Sequence, residues 1–60
     1  MTLGDRVDVH FSDGTEEPGE IADLDQATVV VRRTGPIAGA VIVPRVRLRA
    51  DGPGHWRLDL

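Results

Sequence analysis

Apolar and polar residues alternate in several short stretches of the chain, and a period of two is typical of β-strands with one buried face. The stretches with this pattern are residues 5–11, 45–50 and 55–60, and the β-branched run at residues 27–34 also predicts a strand. No segment keeps apolar residues at helical spacing over more than a short turn. The pattern therefore predicts an all-β protein.

Two further segments extend this pattern less regularly. Residues 16–24 contain Pro18 and Gly19, which suit a loop or an irregular strand entry. Residues 37–44 form the most apolar segment and end at Pro44. Proline has no N–H to donate to a ladder, so it marks a strand end or a sheet edge.

Turn residues separate the predicted strands. Segments rich in Gly, Pro or Asp lie at 12–15, 34–36 and 51–54. Five to six short antiparallel strands joined by such turns predict a small closed barrel, formed by a single domain over residues 1–60. The residues expected to point into its core are Val7, Val9, Phe11, Val29, Val31, Val46, Leu48 and Trp56.

The chain is short for an independent domain. A protein of 60 residues buries only about 60% of the surface that its unfolded form exposes, so its stability is marginal. The sequence contains no cysteine, which leaves no disulfide to compensate. We therefore expect the apolar segment 37–44 to be either a core strand or an edge that pairs with a protein partner or with a second copy of the chain.

Charge is divided unevenly between the two halves of the chain, whose net charge is −3. Residues 1–31 hold eight acids and one base, and residues 32–60 hold six arginines and two acids, so the halves carry −7 and +4. The acids Asp13, Glu16, Glu17 and Glu20 form a candidate patch for a basic protein partner. The alternative interpretation is that they only keep the protein soluble.

The arginines of the second half have two interpretations. Arg45, Arg47 and Arg49 alternate with apolar residues, which predicts a row on one face of a strand. Together with Arg32 and Arg33 they are candidates for binding phosphate or another anion. Alternatively, they face acids of the first half across the sheet and balance their charge.

Part of the sequence resembles a known group of small barrels. The motif Gly-Asp-x-Val-x-Val, followed by a loop, Gly-x-Ile and Val-x-Val, is similar to the opening of SH3-like barrels of the KOW and Tudor type, and residues 41–48 are similar to the strand, short turn and last strand that close them. The matching residues are Gly4, Asp5, Val7, Val9, Gly19, Ile21, Val29 and Val31. The resemblance implies an SH3-like β-barrel.

The known functions of these families fit the residues less well. The resemblance to KOW modules implies a basic first loop for RNA, but this loop reads SDGTEEPGE and would repel phosphate. The resemblance to Tudor modules implies an aromatic cage for methylated residues. The only aromatic residues are Phe11 and Trp56, both expected to point inward.

No catalytic or cofactor motif is present in the sequence. Ser12 is the only serine and lies in a turn, so no nucleophilic triad is indicated. His10 and His55 with Asp8 would be a minimal metal-ligand set if their strands pair, but we interpret them as surface residues. The glycines lack the spacing of a nucleotide loop. We expect no enzyme activity, no cofactor and no small-molecule substrate.

The function favoured by the sequence is a small non-enzymatic binding or assembly module that makes protein–protein contacts. A KOW-type nucleic-acid-binding module that uses the arginines is the second interpretation, and a structural subunit of a larger assembly is the third. The first residues lack a charged and then apolar leader pattern, and no apolar run reaches membrane-spanning length. We therefore expect a cytoplasmic protein without membrane contact.

Overall fold

A computed structural model describes all 60 residues and confirms the all-β prediction. Six strands and one 3-10 turn account for the regular structure. They are β1 (Arg6–His10), β2 (Glu16–Leu24), β3 (Thr28–Arg33), β4 (Ala40–Pro44), the 3-10 turn Arg45–Arg47, β5 (Leu48–Ala50) and β6 (His55–Asp59). None of these elements is a helix with the length and hydropathy needed to cross a membrane.

The strands form one sheet in the order β4-β3-β2-β1-β6-β5. The sheet curls into a half-barrel, compatible with a small SH3-like barrel. Complete closure was expected from the sequence and is wrong, because β4 and β5 form the two edges of the sheet and do not pair. The half-barrel therefore keeps two strand edges that a closed barrel would remove.

One strand pair departs from the antiparallel prediction. β6 runs parallel to β1, with Arg6 beside His55 and His10 beside Asp59. The 3-10 turn leads from β4 into β5 without reversing the chain, and the turn at 51–54 then reverses it between β5 and β6. As a result β6, rather than β5, lies next to β1 and runs in the same direction.

Eight apolar side chains make the core on the concave face of the sheet. They are Val7, Val9, Ile21, Val29, Val31, Val43, Leu48 and Leu58. Phe11 and Trp56 pack against this cluster but are only partly buried. Most of the predicted inward residues are therefore confirmed as buried, because one face of β1, β3 and β5 lies against the core.

Val46 is the exception, and its predicted burial is wrong. Its side chain is 90% exposed, since Arg45–Arg47 forms a 3-10 turn instead of a strand. Pro44 ends β4, and the N–H of Arg45 donates to the carbonyl of Ala27 at 2.8 Å, which fixes the start of the turn. Alternation along the chain does not place residues on one face of such a turn.

Two local features curl the sheet around this core. A Cβ atom at Gly19 would lie 3.0 Å from the carbonyl oxygen of Arg32 and 3.0 Å from Cγ1 of Val31, so glycine lets β2 and β3 approach closely there. The register between these strands also shifts between Ile21 and Asp23. Bulges of this kind bend a strand and increase its twist.

Candidate functional site

The outer edge of β4 exposes unpaired backbone groups. The N–H of Arg33 donates to Gly39 and that of Arg45 donates to Ala27, at the two ends of the β3–β4 pair. Antiparallel ladders alternate, so Val41 and Val43 turn their N–H and C=O groups toward β3, whereas Ala40, Ile42 and Pro44 turn theirs to the open edge. The edge thus offers three carbonyls and two N–H groups, because proline has none.

Exposed apolar side chains are concentrated at the same edge. Ile42 is 70% exposed, opposite Val30 on the convex face of the sheet. Ile37, 59% exposed, precedes β4, and Val46 follows it in the 3-10 turn. These are three of the five large hydrophobic residues that the chain exposes, and the other two are Leu3 and Leu60.

The other edge of the sheet has the opposite character. β5 spans only Leu48–Ala50 and carries Arg49 at its centre. Short edge strands with charged residues resist pairing with another chain. β4 has five residues and none of them is charged, so Pro44 is the only residue within β4 that hinders pairing with another strand. The structure therefore leaves one edge open to strand addition and protects the other.

The candidate acidic patch is largely engaged within the chain. Glu17 pairs with Arg33 and Glu20 pairs with Arg32 across β2 and β3. The carboxylate of Glu16 lies 2.9 Å from Nδ1 of His10. Charges of the two halves of the chain therefore do face each other, but the arginines that do so are those of β3. Whether the patch also binds a partner remains a prediction.

Asp13, the fourth acid of the patch, organises the turn between β1 and β2. Its Oδ1 atom accepts hydrogen bonds from the backbone N–H of Thr15 at 2.9 Å and from the Thr15 hydroxyl at 2.6 Å. The hydroxyl bond is the larger cause and the backbone bond the second cause of a lowered pKa of Asp13. This carboxylate therefore has a structural role in the turn.

The predicted row of three arginines is not formed. Arg45 donates to the backbone carbonyl of Asp25 at 3.0 Å, and Arg47 donates to that of Asp59 at 2.8 Å. Arg49 lies on β5, directly opposite Arg57 of β6. The 3-10 turn is the reason, because it breaks the alternation that would have aligned the three side chains.

The structure also separates the two groups of candidate anion-binding arginines. Arg45 lies beside the Thr28 end of β3, whereas Arg32 and Arg33 lie at its other end, about 13 Å away at the usual strand rise. Arg47 and Arg57 both contact Asp59. The hydrogen bond from Arg57 is the main cause of a lowered pKa of Asp59, with smaller effects of His10 and Arg49. Anion binding by any of these arginines remains a prediction.

The two histidines do not converge, although their strands pair. In the parallel register His55 lies beside Arg6, and His10 lies beside Asp59. The two histidines are therefore separated by about 13 Å along β1. Nε2 of His55 lies 2.5 Å from Oδ2 of Asp8, and this contact is the main cause of a lowered pKa of Asp8.

A second carboxylate lies near this pair. The donor atoms of Asp8, Asp51 and His55 all lie within 4.8 Å of one another. However, Oδ1 of Asp8 is 3.2 Å from Nε of Arg6, which already supplies a positive charge to this carboxylate. A metal ion would have to compete with both Arg6 and His55 for Asp8, and we assign no metal site here.

A small cleft opens at one end of the concave face. Its volume is about 170 Å³, and Val9, Phe11, Val31, Val41 and Leu60 line it together with the Glu17–Arg33 pair. Pockets that bind small molecules usually measure about 300–1,000 Å³. The cleft is therefore better described as the unfilled end of the half-barrel than as a substrate site.

Comparisons with protein-family models, with curated proteins and with solved structures found no match for this chain. The resemblance to KOW and Tudor modules therefore stays a prediction beyond the level of the all-β half-barrel. The features that distinguish this surface are the open, apolar edge of β4 and the facing arginines of β5 and β6.

Proposed function

We propose that this protein is a small non-enzymatic assembly module that makes protein–protein contacts by adding a strand to the edge of β4. The single observation that carries the proposal is the open edge itself, where the N–H groups of Ala40 and Ile42 have no partner within the chain. Strand addition satisfies such groups with main-chain hydrogen bonds.

The side chains at this edge support the same mode of binding. In strand addition, alternate side chains of the edge contact the partner and add affinity to the main-chain hydrogen bonds. Ile42 is largely exposed, and complete burial of such a side chain contributes about 1.5–3 kcal/mol. The convex face beside it is apolar at Val30, so a bound strand would extend an existing apolar strip.

The test is capture of partners from the native host by the tagged protein, with and without nuclease. A partner bound through β4 survives nuclease, is lost with Ile42→Lys and is retained with Leu3→Lys. Leu3 is a matched control because it is 60% exposed and lies before β1, away from β4. A set of partners unchanged by Ile42→Lys would contradict the proposal.

A second candidate function is suggested by the arginines of β5 and β6. Arg49 and Arg57 lie directly opposite each other, and Arg47 lies nearby through Asp59. Like charges opposite each other on a sheet are destabilising, and an anion bound between them would relieve the repulsion. This candidate is the nucleic-acid-binding function implied by the resemblance to KOW modules. It ranks second because Asp59 lies within the cluster.

A further inference from the structure

We infer that the strand added at β4 is β4 of a second copy of this chain, paired antiparallel about a two-fold axis at Ile42. The inference rests on the proposed function and names its partner. It follows from the pattern of hydrogen-bonding groups on the edge, from the positions of the exposed apolar residues and from what the pairing leaves open.

The backbone groups of the edge are self-complementary. With Ile42 opposite Ile42 of the second copy, each residue donates its N–H to the carbonyl of the other, which gives two hydrogen bonds. In the same register Ala40 lies opposite Pro44 of the second copy, and its N–H donates to that carbonyl, once on each side of the axis. Both free N–H groups of each edge are thereby used. Because Pro44 has no N–H, each copy forgoes only the one hydrogen bond that residue 44 would otherwise have donated.

The exposed apolar residues are placed for the same symmetry. Ile37 precedes the first residue of β4, and Val46 follows its last residue. In this register Val46 of each copy lies opposite Ala38 of the other, Ile37 lies one residue further out, and Ile42 meets its counterpart at the centre. Ile42 and Val46 therefore each gain an apolar neighbour from a copy of the same edge. This is the reason to choose a second copy over an unrelated strand.

The pairing also ends at two copies. It uses the one open edge of each chain, and the edges that remain are those of β5, which are short and carry Arg49. No like charges face each other across the new pair, because β4 is uncharged and Arg45 lies opposite Gly39 of the second copy. A closed dimer with one continuous sheet results, rather than a fibre.

Sedimentation equilibrium of the full chain tests the inference. The expected result is a reversible dimer at micromolar concentrations. Ile42→Lys removes the contact between the two isoleucines and places two ammonium groups face to face at the axis, so it should raise the dimer dissociation constant at least about tenfold. Leu3→Lys, an equally drastic change of an exposed residue outside the β4 edge, should leave the constant unchanged. Circular dichroism checks that both variants keep the fold.

A charge exchange distinguishes self-pairing from an unrelated partner. Ala38→Glu and Val46→Lys, at positions that this register places opposite each other, should each weaken the dimer, since each removes apolar contact at both ends of the pair. Combined in one chain, they should restore much of the lost affinity, because the introduced carboxylate of each copy meets the introduced ammonium of the other. In binding to an unrelated strand no such recovery is expected.

The possible results separate this inference from the proposed function. A chain that stays monomeric at hundreds of micromolar, or a dimer indifferent to Ile42→Lys, would overturn self-pairing. If a host protein is nevertheless captured in an Ile42-dependent way, the proposed function stands without the second copy. If neither a dimer nor an Ile42-dependent partner is found, both are overturned.

Discussion

The indole N–H of Trp56 donates a hydrogen bond to Oδ2 of Asp5 at 3.0 Å, joining β6 to the segment before β1. The same carboxylate oxygen accepts the backbone N–H of Thr2 at 2.9 Å. The bond from Trp56 is the first cause, and that from Thr2 the second, of a lowered pKa of Asp5. The carboxylate of Asp5, just before β1, thus connects β6 with the N-terminal residues.

Trp56→Ala tests the weight of this connection. The ring is partly buried against the core, so we expect a loss of about 3 kcal/mol in the free energy of unfolding, the lower end of the range for aromatic truncation. Trp56→Phe keeps an apolar ring and loses the N–H, so its loss should be smaller but measurable. Urea unfolding followed by circular dichroism measures both. An unshifted transition for Trp56→Ala would contradict the assignment.

Acid should destabilise the protein below about pH 4. The pKa values of Asp5, Asp8, Asp13, Asp25 and Asp59 are all lowered in the folded state. An unfolded aspartate titrates near about 3.9, so the stability from these groups is complete above that pH and is lost as pH falls through the folded values.

The measurement is the melting temperature between pH 5 and pH 2. Asp8→Asn removes one titrating group and its contact with His55, so this variant should be less stable at pH 5 and should lose less on acidification. A melting temperature that stays constant or rises as the pH falls from 4 to 2 would contradict the predicted sign.

Two arginines should respond in opposite ways to the same substitution. Arg32 pairs with Glu20, so Arg32→Gln should lower the free energy of unfolding by a few tenths of a kcal/mol. Arg49 faces Arg57 directly, and we expect this repulsion to outweigh its weaker attraction to Asp59, so Arg49→Gln should raise stability by a similar amount. Thermal melts at low and high salt test the pair, because screening should shrink both effects. Equal destabilisation by both variants would contradict the charge map.

Nucleic acid should bind weakly or not at all. If Arg49 and Arg57 hold phosphate, a labelled oligonucleotide should bind at low salt, and Arg49→Gln with Arg57→Gln should flatten the slope of log affinity against log salt by nearly two. We expect no micromolar binding at about 150 mM salt, because Asp59 and the loop between β1 and β2 oppose it. Fluorescence anisotropy over a salt series measures this binding. Micromolar binding with that slope change would favour the second candidate function.

The alternation of apolar and polar residues correctly predicted which face of the regular strands is buried. Val7 and Val9 in β1, and Val29 and Val31 in β3, are buried as predicted, because period two fixes the face of a strand wherever it pairs on both sides. The turns around Asp13 and at 51–54 are also where Gly and Asp predict them. The fold class follows from these local signals.

Alternation failed where a local constraint broke the strand. Residues 45–50 alternate as well as any strand, but Pro44 and the bond from Arg45 to Ala27 impose a 3-10 turn, which exposes Val46 and scatters the arginines. The parallel β1–β6 pair and the open edge of β4 are long-range features. Sequence periodicity carries no information on strand order, so the sequence could offer the approach of Asp8 to His55 and the edge at residues 37–44 only as alternatives.

Hydrogen exchange of individual amides in β4, followed by NMR, is the most direct test of assembly through this edge. The amides of Val41 and Val43 donate to β3 and should be protected at every protein concentration. Those of Ala40 and Ile42 face outward and should exchange readily in dilute solution. They should become protected as the dimer forms, or when a host partner binds. Ala40 and Ile42 amides that exchange equally fast in the free and the fully assembled protein would contradict assembly through β4.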